Sequence, residues 1–177
     1  ISPAGENSGY FQPFSFLATI REGEQNAFSI ATGTQRILFT RPSQYVPLKI
    51  AADTLVTAPL VFAGYGISVA NDSVKYDDYA GIDVKGKIVI VLRYSPEGSQ
   101  SSRFLSQTSV TTKVMIAREK GAAGIIFATA PPGNDGEALA SIKPPPTAKA
   151  GMAAIAMKWE DVGGLLAAAK KSLKAVQ

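Results

Sequence analysis

Residues 87–93 read KIVIVLR, and the five apolar residues inside them, Ile88 to Leu92, include four β-branched side chains. Apolar and polar residues do not alternate anywhere in the run. A strand with one face in water shows such alternation, so this strand is expected to be covered on both faces. That demands layers on either side of a sheet. After a polar stretch the period changes: Val110, Val114 and Ala117 stand at i, i+4 and i+7, the spacing of one helix face. Thr108 or Ser109 is available as its N-cap, and Gly121 as its C′ terminator. Residues 123–129 (AGIIFAT) follow as a second apolar strand. This order and length predict a parallel βαβ unit.

Residues 152–157 predict a further strand. From Trp159 onward Val162, Leu165, Leu166, Ala169, Leu173 and Val176 predict a second helix, with Lys170, Lys171 and Lys174 in its last turns, where cations suit the helix dipole. The front of the chain carries short β-like runs at residues 14–20, 27–31, 36–40 and 46–50. Pro59 cannot donate to a ladder, so the next strand is expected to start near Leu60. Residues 69–86 read as a polar loop with one helical turn near 78–80. Residues 94–107 read as a second polar loop, and 130–150 as a Pro- and Gly-rich third. The expected fold class is mixed α/β: β-rich, with one βαβ unit and two main helices. Residues 1–52 are expected as a β-rich lead-in and 53–177 as the core of one compact unit.

The 177 residues suffice for one domain core. They include no Cys and no His. That removes a disulfide framework, a thiolate zinc site and a cysteine nucleophile, along with the usual general base of serine hydrolases and the commonest ligand of a catalytic zinc. The formal net charge is +4. Residues 1–142 hold 12 basic and 12 acidic groups, so the excess lies in residues 143–177; a mild bias at one end is weak evidence for nucleic acid, which wants a basic face with interleaved aromatics or a reading motif. The longest charge-free window, 54–71, is broken by Pro59, Gly64 and Gly66, which excludes a spanning helix there. The chain opens on Ile1 without a basic-then-apolar leader, as expected of a processed protein or an excised fragment.

Several motifs come close to chemistry. Gly81 through Gly86-Lys87 approaches a phosphate loop, but Ile88 stands where a hydroxyl should hold Mg²⁺, and a strand follows instead of a helix. Gly64-Tyr65-Gly66 resembles part of a dinucleotide fingerprint, with Val69 at the third glycine position and no helix after it. Asp72, Asp77, Asp78 and Asp83 offer oxygens to a hard cation such as Ca²⁺, without the spacing of an EF-hand; a solvated acidic loop is the plainer expectation. Ser101, Ser102, Ser106 and Ser109 lie near Lys113, the ingredients of a Ser–Lys dyad without a local signature for one.

Four pieces in order carry a family resemblance: VFAGYGI at 61–67, YDDYAGIDVKGKIVIVL at 76–92, KVMIAREKGAAGIIF at 113–127, and the closing strand and helix with LLAAAKKSL at 165–173. Together they resemble the protease-associated (PA) domain. More narrowly, they are similar to the form inserted in secreted zinc-dependent aminopeptidases of the glutamate-carboxypeptidase and transferrin-receptor superfamily. PAGENSGYFQPF at 3–14 resembles the segment ahead of that insertion.

The resemblance implies a PA-type swivelling β/β/α fold with no catalytic residue and no metal ligand of its own. It implies a parent enzyme whose zinc sits in a separate catalytic domain of the same polypeptide, and a secreted or periplasmic location. The PA domain would lie over the peptidase cleft and aid access of a peptide or protein substrate, without nucleic acid or membrane as partner. Gly64, Gly66, Gly86 and Gly121 are expected to shape turns. The substrate- or partner-facing surface is expected in the 94–107 loop, with Arg93, Ser95, Arg103 and Ser106. Lys158 departs from the family, which often has a small hydroxyl residue there to cap the last helix, and Gly163-Gly164 weakens that helix. The rival readings are an autonomous Ser–Lys or carboxylate enzyme and a stand-alone peptide- or carbohydrate-binding module. The latter would need exposed aromatics in a groove.

Overall fold

The computed structural model describes residues 25–32, 34–71, 74–98, 103–129 and 149–168. The expected strand at 14–20, Asp72, Ser101, Ser102 and the lysines of the last turns lie outside them. A mixed five-stranded sheet forms the centre, in the order β3 (Tyr45–Pro47), β9 (Ala153–Met157), β8 (Gly124–Ala128), β7 (Ile88–Leu92), β4 (Leu60–Phe62). β4, β7, β8 and β9 run parallel, and β3 is antiparallel on β9. Two hairpins stand apart from it: β1 (Phe28–Thr32) with β2 (Gln35–Phe39), and β5 (Ser68–Ala70) with β6 (Lys75–Asp77).

The uninterrupted apolar run of β7 has the cause read from its sequence. Side chains alternate across a strand, so Val89 and Val91 point to one face and Ile90 and Leu92 to the other. The first pair joins Ile125, Phe127, Ala154 and Ala156 under helix α1 (Val110–Glu119), through Val110, Val114 and Ala117. The second joins Ile126, Ala128 and Met157 under helix α2 (Trp159–Ala168), through Val162, Leu165 and Leu166, with Ile30 of the first hairpin beside them. A sheet sandwiched between two layers has no solvent face on which polar residues could sit.

Both helix ends follow sequence chemistry. Ser109, not Thr108, caps α1: its Oγ accepts from Thr112 N at 3.0 Å. At the other end Gly121 takes φ +85°, and the Gly121 and Ala122 amides donate to the Arg118 and Ala117 carbonyls, a Schellman closure that a left-handed residue makes possible. Helix α2 has Lys158 before it and no small hydroxyl of its own. The hydroxyl comes from elsewhere in the chain: buried Thr129, just past β8, accepts from Trp159 N at 3.0 Å. Glu160 and Asp161 occupy the first turn, where anions suit the helix dipole.

Three expectations are corrected. The strand placed at 46–50 is Tyr45–Pro47, and Leu48 and Ile50 turn into the core instead. Residues 69–86 are not simply a loop with a helical turn, since they contain most of the β5–β6 hairpin. Residues 94–107 end in a short 3₁₀ helix, Leu105–Gln107, and bury Phe104. In the first two cases short strands of three residues leave too little periodicity to read.

Candidate functional site

The parallel strands follow one another across the sheet without reversing direction, so the described sheet has no switch-point crevice of the kind that holds nucleotides. The two near-motifs serve the fold instead. Lys87 Nζ turns back to Asp83, 3.0 Å from its carboxylate and 2.9 Å from its carbonyl. Gly64 to Gly66 wraps around Asp78. One oxygen of that carboxylate accepts from the Tyr65 and Ile67 amides at 3.1 and 3.0 Å, and the other accepts from the Tyr76 hydroxyl at 2.9 Å. A Cβ on Gly64 would lie 2.2 Å from Asp78 Oδ1, so the turn closes only around glycine. Burial pushes the Asp78 carboxyl up, and it outweighs the hydrogen bonds that favour the anion. The carboxylate is a hub, where the sequence pointed to a solvated loop residue.

Of the other aspartates in that cluster, the two described ones each have partners. Asp77 accepts from Tyr79 N and pairs with Lys120 at 3.3 Å; Asp83 pairs with Lys87. No group of three or more His, Cys, Asp or Glu residues able to hold a metal occurs among the described residues. The Ser–Lys dyad is not found among them either. Ser109 caps α1, and Ser95 Oγ donates to Gly98 O at 2.8 Å. Lys113 Nζ donates to two backbone carbonyls, Leu92 O at 2.9 Å and Tyr94 O at 2.5 Å.

These bonds lie where β7 leaves the sheet, and there the expected surface residues separate into two kinds. Arg93 is half-buried: its amide donates to Ala128 O at 3.2 Å, Nη1 reaches Thr108 O at 3.4 Å, and its guanidinium lies 5.0 Å from the Tyr94 ring centre. Ser95 is only 2 % exposed and closes the turn to Gly98. Arg103 is exposed, paired with Glu97 at 2.8 Å across the loop. Ser106 is exposed, and its carbonyl accepts from Thr112 Oγ1 at 3.2 Å. Phe104 roots the loop against Ile67, Val74 and Tyr76, the last with an edge-on ring at 5.3 Å. Gly64, Gly66, Gly86 and Gly121 all take positive φ.

Sequence reading passed over Lys113 as a structural group, because position 113 looks like an ordinary helix residue between Thr112 and Val114. It is wholly buried. The Tyr65 ring lies 5.9 Å away, and burial first, then Arg93, push its ammonium down to about 7 against the pull of Asp78. The only signal was its place in the helical period, one residue from Val114 on the core face. Trp159, the sole tryptophan, packs partly buried against the α2-side core.

The family whose profile matches is the PA domain, over residues 56–161. The chain belongs to the PA domain family. The matched span begins just before β4 and ends inside α2, so it includes the Asp78 hub, the β7 exit and Lys113. No curated protein matches the chain. Among solved structures, this PA domain is similar in fold to an aminopeptidase from Aneurinibacillus sp. strain AM-1, with TM-score 0.52 and 20 % identity over 82 % of the chain. It is also similar to a zinc aminopeptidase from Bacillus subtilis, with TM-score 0.51 and 22 % identity over 80 % of the chain. The chain spans 28 % of the length of each.

Proposed function

We propose that this PA domain is a non-catalytic module of a secreted or periplasmic zinc-dependent aminopeptidase. It lies over the cleft of the catalytic domain of the same polypeptide and helps admit peptide or protein substrate. The observation that carries the reading is the fold likeness to two bacterial aminopeptidases, of whose length the chain spans only 28 %. The chemistry of the described residues agrees with it. Ser95 closes a turn and Ser109 caps a helix, and Asp77, Asp78 and Asp83 are committed to hydrogen bonds or ion pairs. A catalytic zinc does not fit here, since the chain has neither His nor Cys and the described carboxylates do not converge. Zinc would belong to the catalytic domain. Exposed Arg103, at the outer edge of the β7-exit loop, is the group offered to a peptide carboxylate, in exchange for Glu97.

The purified chain should hydrolyse neither an aminoacyl amide nor a peptide, with or without added Zn²⁺. Metal-dependent turnover by a preparation free of other peptidases would overturn the reading.

A further inference from the structure

The β7 exit contains a device that the peptidase reading does not require. Tyr94 has φ +63°, the only described non-glycine residue in the left-handed region. A side chain makes that conformation unfavourable, so something must hold it. The residue that reaches it is Lys113, from one turn inside α1. Its stem crosses the core and its Nζ bonds the carbonyls on either side of Arg93: Leu92 O inside the sheet and Tyr94 O beyond the kink. The second bond is the shorter of the two. Two carbonyls two residues apart can converge on one donor only if the chain bends between them.

We propose that Lys113 is a buried positioning residue that clamps the exit of β7 in its kinked form and thereby sets the direction of residues 93–98, with the Arg93 guanidinium aimed across to the start of α1. The clamp belongs to this chain and stands whether or not the parent is a peptidase. Around the ammonium stand Arg93 from the strand exit, Asp78 and Tyr65 from the turns beside β4 and β6, and no other charged contributor to its proton affinity among the described residues. The Asp78 hub, built from the Gly64–Gly66 turn and Tyr76, thus supplies the counter-charge for the clamp.

The test is amide hydrogen exchange on the whole chain. Lys113→Met keeps the stem and removes the donor. Exchange at Arg93 and Gly98, whose amides now donate to Ala128 O and Ser95 O, should quicken about tenfold or more, while amides of β8 and of the middle of α1 keep their protection. Tyr94→Gly removes the strain that the clamp opposes, so adding it to Lys113→Met should restore much of that protection. Mere loss of packing would not be rescued. Unchanged exchange at the exit, or no rescue by Tyr94→Gly, overturns the clamp. If Lys113→Met does not fold, the wild-type chain decides: the Lys113 Nζ signal and the Tyr94 and Ser95 amide signals should titrate together by NMR. Titration of Lys113 without movement at Tyr94 and Ser95 overturns it equally.

Discussion

Tyr76 and Tyr79 stand three positions apart, and their hydroxyls end in different surroundings. That of Tyr76 donates to Asp78 at 2.9 Å. That of Tyr79 is buried with no hydrogen-bond partner among the described residues, while its ring helps fill the α1-side core. Removing a hydroxyl that binds a half-buried carboxylate costs about 1–3 kcal/mol, whereas removing one without a partner costs little or is favourable. Tyr76→Phe should therefore lower the unfolding free energy by that amount in urea melts, and Tyr79→Phe should leave it unchanged or raise it. Equal losses from both would contradict the assignment of Asp78 as the hub. Lys113 adds a pH signature. Its ammonium is pushed down to about 7 from 10.5, so between those values the unfolded chain holds a proton that the folded chain has released. Stability then rises with pH across that window. The stability of the wild type relative to Lys113→Met should grow between roughly pH 7 and 10.5; a difference that stays flat with pH would contradict a buried, depressed lysine.

At the scale of elements, the two glycine turns differ in what a side chain would meet. Gly121 has φ +85°, with only the flexible Lys85 side chain as near as 3.4 Å to a new Cβ. Gly121→Val should cost mainly the backbone term, about 1–2 kcal/mol, read as a fall in Tm. Gly64→Ala adds a collision with Asp78 Oδ1 at 2.2 Å to the same strain, and should cost more, at least about 2 kcal/mol. The reverse order would mean that the Gly64 turn opens freely. The elements legible in the sequence were those whose period is long: β7, α1 and β8, with Ser109 and Gly121 as their punctuation. The β5–β6 hairpin was not legible, because three-residue strands interrupted by aspartates look like loop. Lys113 and Asp78 escaped for a different reason. A charged residue type signals exposure, and only tertiary placement against the Leu92 and Tyr94 carbonyls and the Tyr65 and Ile67 amides reverses that signal.

On the scale of the whole molecule, both faces of the sheet are covered from within the chain, by α1 on one side and by α2 with the β1–β2 hairpin on the other. Such a core needs no second domain to close it, so the purified chain should melt cooperatively. A broad, non-cooperative melt would mean that a surface completed elsewhere supports it. The central functional claim concerns access to a neighbouring active site, and substrate length tests it most directly. In the complete protein that carries this chain, residues 97–103 would be replaced by a Gly-Ser segment of equal length, leaving Ser95, Phe104 and Lys113 in place. kcat/KM would then be compared for a long peptide and for a one-residue chromogenic amide, which cannot reach the loop. The expected result is a fall for the peptide with the amide unchanged; equal falls for both, or no change in either, would contradict a PA domain that guides substrate.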